Sequence, residues 1–125
     1  GGTVLPMKLV GDQAEQAVAG YLSRLGFELV YQSRGSKGAF DLLATRGPVQ
    51  LGVQVKRSSL PLRFSKSEWQ RMEADARRYG WEWTVASVEV DGKVTLLDPA
   101  KARRGAGHTL GASAAIENVL AWLDA

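Results

Sequence analysis

Three side chains in this sequence could combine to do chemistry: Asp41, Gln54 and Lys56. They fall in the stretch from Arg34 to Ser58, which reads as a β-hairpin. An apolar run from Phe40 to Ala44 leads to a turn signal at Arg46-Gly47-Pro48, and a second, alternating run follows from Val49 to Arg57. Side chains on a strand alternate between faces, so Leu51, Val53 and Val55 share one face and Gly52, Gln54 and Lys56 the other. The first face is core. With Asp41 coming from the partner strand, the second would gather a carboxylate, an amide oxygen and an ammonium group. That set suits hydrolysis at a bound metal ion.

Composition narrows the choice of metal. The chain has no cysteine and a single histidine, His108, which excludes disulfides, thiolate sites, cysteine nucleophiles and a histidine-rich zinc site. A metal here is a hard cation on oxygen ligands, Mg²⁺ or Mn²⁺. The net charge of +3 and a pI near 9.5 favour an anionic partner. At 125 residues, with 45% hydrophobic and 23% charged residues, the sequence describes one ordinary globular domain. It shows no secretory signal and no apolar run long enough to cross a bilayer, so a soluble, cytoplasmic protein without membrane contact is expected.

Several elements must position these groups. Gly1 to Pro6 lack periodicity and read as a cloning remnant before a native start at Met7, leaving residues 7–125 as a single domain. A helix is predicted from Leu9 to Leu25, with Asp12 as N-cap, Gly26 as terminator and an apolar stripe of Ala14, Val18, Tyr21, Leu22 and Leu25. Glu15 lies on that stripe by spacing. A carboxylate facing a core is costly unless compensated, so Glu15 either serves a site or sits at the stripe's edge, reaching water, Arg24 or Lys8.

Phe27 to Gln32 reads as a strand, and Ser33-Arg34-Gly35-Ser36-Lys37-Gly38 as a small basic loop suited to phosphate oxygens. Beyond the hairpin, Leu60-Pro61-Leu62 is a break. Ser65 and Glu68 then form a capping box opening a helix that ends at Gly80, with Trp69, Met72, Ala76 and Tyr79 on its apolar side. Lys66, Arg71, Arg77 and Arg78 read as a solvated face, with phosphate contact as the alternative. Two strands, Trp83 to Val90 and Lys93 to Leu97, are joined at Asp91-Gly92. Lys101 to Gly111 reads as loop, and Ala114 to Leu123 as a closing helix. The order is that of an α/β or α+β sandwich with a mixed sheet.

Taken together, Glu15, Asp41, Gln54-Val55-Lys56 and the Ser33 loop resemble the PD-(D/E)XK nuclease superfamily, and within it the archaeal-type Holliday-junction resolvases. The likeness runs from Lys8 to Val90. It includes Gly11-Asp12-Gln13-Ala14-Glu15, Leu25-Gly26-Phe27 and Ala76-Arg77-Arg78-Tyr79-Gly80. The resemblance implies a restriction-endonuclease-like α/β core: a central mixed five-stranded sheet flanked by helices. It also implies an Mg²⁺-dependent endodeoxyribonuclease, with Mn²⁺ able to substitute, acting as a homodimer that makes paired symmetric nicks in four-way DNA junctions.

In that likeness Asp41 ligates the metal, with the Gln54 side-chain oxygen and the Val55 carbonyl as further ligands, and Glu15 holds a metal-associated water or aids a second ion. Lys56 orients or activates the attacking water. Ser33 contacts the scissile phosphate, Arg34, Ser36, Lys37, Arg57 and Lys66 bind the DNA backbone, and Gly52 leaves that backbone room. The chain departs from the resolvases at Gln54, where they carry glutamate. An amide still coordinates through oxygen but removes one negative charge, which lowers metal affinity. Glutamine at this point is familiar in Mrr-like restriction enzymes and a group I intron homing endonuclease. An endonuclease of that kind, and a DNA-binding module without catalysis, therefore stand beside the resolvase reading.

Overall fold

The computed structural model describes residues 13–32 and 38–125. The expected helix start at Leu9, the Asp12 cap, the remnant Gly1 to Pro6, and Ser33, Arg34, Gly35, Ser36 and Lys37 lie outside the described residues. The first helix, α1 (Gln13–Arg24), buries Ala14, Val18 and Leu22, four residues apart and so on one face. Its end is closed by Phe27 N–H donating to Leu22 C=O at 3.0 Å while Gly26 takes a φ of 91°, a left-handed turn that favours glycine.

Five strands form the central sheet: β1 (Glu28–Gln32), β2 (Leu42–Arg46), β3 (Val49–Lys56), β5 (Glu82–Val88) and β6 (Val94–Leu97), in the order β1-β2-β3-β5-β6. β3 and β5 run parallel and the remaining neighbours antiparallel, so the sheet is mixed as expected. The hairpin register pairs Leu42 with Val53 and Arg46 with Val49, turning through Gly47 (φ 60°) and Pro48. A positive φ at the first central residue gives a turn whose twist suits the strands. The parallel step from β3 to β5 is bridged by β4 (Leu62–Phe64), which follows a cis Leu60–Pro61 bond, and by α2 (Lys66–Tyr79).

The two faces of the sheet are covered differently. α1 packs on Leu42, Ala44, Leu51, Val53, Ala86 and Leu96. On the opposite face Trp69, Met72 and Ala76 of α2 join Phe40, Phe64, Val85 and Leu97. Among the described residues no helix is long and apolar enough to cross a membrane.

Three expectations are corrected. Lys101 to Gly111 is not plain loop. It holds β7 (Arg103–Arg104) and β8 (His108–Leu110), which with β4 make a second sheet in the order β4-β8-β7. Leu62, Phe64 and Leu110 point inward from it and are buried. The Asp91-Gly92 turn is longer than two residues. Glu89 N–H donates to Lys93 C=O at 3.0 Å and Gly92 N–H to Glu89 C=O at 2.8 Å, so Val90, Asp91 and Gly92 form a three-residue loop, Gly92 taking a φ of 88°. The closing helix is shorter than expected: α3 (Val119–Asp124) starts where the Asn118 side chain accepts from Ala121 N–H at 3.0 Å. Upstream, Ala115 instead bridges to Leu97 of the sheet.

Candidate active site

Asp41 enters the sheet just before β2. Its N–H donates to Val53 C=O at 2.9 Å, and its Oδ2 accepts from Val55 N–H at 2.7 Å. The first bond extends the hairpin ladder by one residue, and the second ties the carboxylate to β3 between Gln54 and Lys56. Gln54 and Lys56 follow on the same face of β3, paired with Val85 and Ser87 of β5. Asp41, Gln54 and Lys56 line a single cleft of about 210 Å³, together with Phe64, Glu68 and Arg71.

β4 and α2 build the far wall of this cleft. The Lys56 ammonium lies over the Phe64 ring, 5.2 Å from its centroid, an attraction of cation for ring quadrupole. Phe64 in turn meets Trp69 edge-on at 5.6 Å. Ser65, the next residue, opens α2 with the expected capping box. Its Oγ accepts from Glu68 N–H at 3.1 Å, and Glu68 Oε1 accepts from Ser65 N–H at 2.8 Å. The Ser65 N–H holds the Glu68 carboxyl below its ordinary 4.5; burial, next in size, opposes it, and the Ser65 hydroxyl and the Lys56 charge add smaller lowering effects. The carboxylate is therefore ionised at neutral pH.

α2 also grips the segment that delivers Asp41. Asp75 Oδ2 accepts from Ala39 N–H at 2.8 Å, and Arg71 Nη2 donates to Gly38 C=O at 3.4 Å. Glu68, Arg71 and Asp75 precede Trp69, Met72 and Ala76 by one residue each, so a polar row runs beside the apolar one on the same helix. That spacing was the signal by which all three could have been found. By sequence pattern alone Glu68 is a cap, Arg71 belongs to a solvated face, and nothing else singles out Asp75.

Glu15 is half-buried at the edge of the α1 stripe and is not among the residues lining the cleft. Arg57 lines a larger hollow of about 560 Å³ beside α1 and the loop after β5, and Lys66 is exposed on the first turn of α2. Gly52 does not make room for nucleic acid. It is buried, and a Cβ there would stand 2.9 Å from Phe40 Cδ2 and 3.2 Å from Trp81 Cε3, so the space it leaves belongs to the Phe40 ring.

The donors of the cleft fit a hard cation. They are carboxylate and amide oxygens, and Mg²⁺ accepts few protein oxygens and completes its shell with water. Among the described residues, no group of three or more His, Cys, Asp or Glu could hold a metal. A cation here would depend on Asp41 with neutral oxygens or with one further acid.

No family model and no curated protein matches this sequence. Among solved structures, the 1.6 Å structure of Hjc, a Holliday junction resolvase from the archaeal hyperthermophile Archaeoglobus fulgidus, is similar with a TM-score of 0.71 and 23% sequence identity. The match covers 88% of this chain and 99% of that one. The chain has the fold of this archaeal resolvase. That likeness covers a wider share of the chain than the Lys8 to Val90 motifs, and it joins them in pointing to the resolvase-type α/β core with its mixed five-stranded sheet.

Proposed function

We propose that this chain is a metal-dependent endodeoxyribonuclease that resolves four-way DNA junctions by paired phosphodiester hydrolysis. The observation that carries this reading is the meeting of Asp41, Gln54 and Lys56 in one cleft on a resolvase fold. A bound Mg²⁺, or Mn²⁺ in its place, supplies a Lewis acid and a nucleophile at neutral pH. Asp41 is steadied by the Val55 N–H and would hold the ion with the Gln54 amide oxygen and the Val55 carbonyl. Lys56 stands beside them, orients the attacking water and offsets charge on the scissile phosphate.

Glu15 acts in this proposal as an outer carboxylate of the site. Ser33, with Arg34, Ser36 and Lys37 beside it in the sequence, contacts phosphates in this proposal, and Arg57 and Lys66 extend that contact. A homodimer would set two such clefts across a two-fold axis, which matches two symmetric nicks in a four-way junction.

The test compares a mobile four-way junction with linear duplex of the same sequence in Mg²⁺, using wild type and Asp41→Asn. Paired nicks in the junction and intact duplex are expected. Asp41→Asn should slow cutting beyond the roughly ten- to hundredfold lost when a mere neighbour of a metal ligand is changed. Equal cutting of both substrates, or cutting that survives Asp41→Asn, rejects the proposal. Salt-sensitive binding without any cutting would instead support a DNA-binding module, the reading that the neutral Gln54 favours.

A further inference from the structure

We infer that Glu68 brings to the cleft the negative charge that Gln54 lacks, and is the second carboxylate through which this chain holds its divalent cation. The inference rests on the proposed metal-dependent reading of the cleft and adds to it a residue from a different element. The ionisable groups lining the cleft among the described residues are Asp41 and Glu68 on one side of the charge balance and Lys56 and Arg71 on the other. With glutamine at position 54, removing Glu68 would leave a single carboxylate facing two cations. Such a cleft repels a divalent ion, whereas the pair of acids admits one.

Geometry places Glu68 for this role. The chain of contacts runs from Asp41 to the Val55 N–H, from the neighbouring Lys56 to the Phe64 ring, and from the neighbouring Ser65 to Glu68 Oε1. The capping box fixes one carboxylate oxygen and with it the direction of the group. Two further bonds, Asp75 to Ala39 and Arg71 to Gly38, lock α2 to the segment that ends in Asp41, so the two acids are held on elements tied to each other. Glu68 is exposed, and the field of an exposed charge is screened by salt. Its effect on an ion therefore has to come from direct or single-water contact.

The cap offers a clean test, because glutamine at the same helix position can still accept from the Ser65 N–H. Titration calorimetry of the full chain with Mg²⁺ and no DNA compares wild type, Asp41→Asn, Glu68→Gln, Gln54→Glu and the Glu68→Gln/Gln54→Glu pair. Glu68→Gln should weaken Mg²⁺ binding by about tenfold or more while its metal-free melting temperature falls only slightly below wild type. The pair should return affinity towards wild type, since the charge is restored on β3. Asp41→Asn should abolish binding, placing the ion in the cleft. Unchanged affinity in Glu68→Gln, no recovery in the pair, binding that survives Asp41→Asn, or no Mg²⁺ binding by wild type would each overturn the inference. A wild type that binds Mg²⁺ through Asp41 and Glu68 yet cuts no junction rejects the nuclease reading and leaves this inference standing.

Discussion

The two faces of the central sheet are built from different materials. Under α1 the core is mostly aliphatic, with Val18 and Leu22 of the helix meeting Leu42, Leu51, Val53 and Leu96 of the strands and Phe27 as the buried ring. Under α2 it is aromatic: Trp69 meets Trp83 edge-on at 5.3 Å, and Phe40 lies 5.9 Å from Trp83 and 6.1 Å from Trp81. Large rings arriving from separate elements leave edges, and one of those edges is the cleft. Phe64 packs on Trp69 and also lies under the Lys56 ammonium, so a core ring is at the same time a wall of the site. The aliphatic face supplies stability, and the aromatic face supplies stability and also walls the cleft.

Truncating one side chain on each face should separate these roles. Trp69→Ala should cost about 3–5 kcal/mol and Leu22→Ala about 2–5 kcal/mol, both read by denaturant unfolding. The contrast lies in metal affinity measured under conditions where each variant is folded. Trp69→Ala should weaken Mg²⁺ binding, because α2 carries Glu68 and the Asp75 tie to Ala39. Leu22→Ala should leave it unchanged. Equal affinity in the two variants would mean that the cleft does not depend on how α2 is seated.

Adding one methyl group should change stability in opposite directions on the two faces. At Gly52 the new Cβ meets the Phe40 ring at 2.9 Å in a filled interior, and Gly52→Ala should destabilise by about 1–3 kcal/mol. At Gly20, inside α1, the nearest atom is Arg24 Nη1 at 3.6 Å, an ordinary contact. There Gly20→Ala should stabilise by about 0.5–1 kcal/mol through the backbone entropy that glycine loses in a helix. Thermal unfolding of the two variants checks both signs, and a stabilised Gly52→Ala would show that the Phe40 ring has room to move aside.

The aliphatic face was the more legible one in the sequence, for a physical reason. Its residues recur with the periods of helix and strand: Ala14, Val18 and Leu22 every fourth position, Leu51, Val53 and Val55 every second. The hairpin and the Ser65 capping box are similarly local signals, and the central sheet with Asp41, Gln54 and Lys56 followed from them. β4, β7 and β8 have two or three residues each, too few to show a period, and Leu62 pairs with Leu110 far along the chain. At Gly52 nothing local announces that Phe40 fills the space a side chain would take. In the sequence Glu68 shows only its cap, since tertiary packing is what brings the start of α2 against Lys56.

The smallest effect expected concerns acid. In the folded chain the Ser65 N–H holds the Glu68 carboxyl below its ordinary value of 4.5. A carboxyl depressed by folding adds stability at pH values above its unfolded value, and that stability fades as pH falls through the folded value. Metal-free melting of wild type and Glu68→Gln between about pH 3 and pH 6 should therefore show wild type ahead at the upper end, with the gap closing towards the lower. The gap should be small, because an exposed carboxylate gains little from its partners in water. Raised salt should shrink the part due to Lys56 and spare the part due to the Ser65 N–H, since screening acts on separated charges more than on a hydrogen bond. A gap of constant size across this range would mean that Glu68 contributes to the fold through shape alone, and that the charge on the aromatic face is free to serve only the ion.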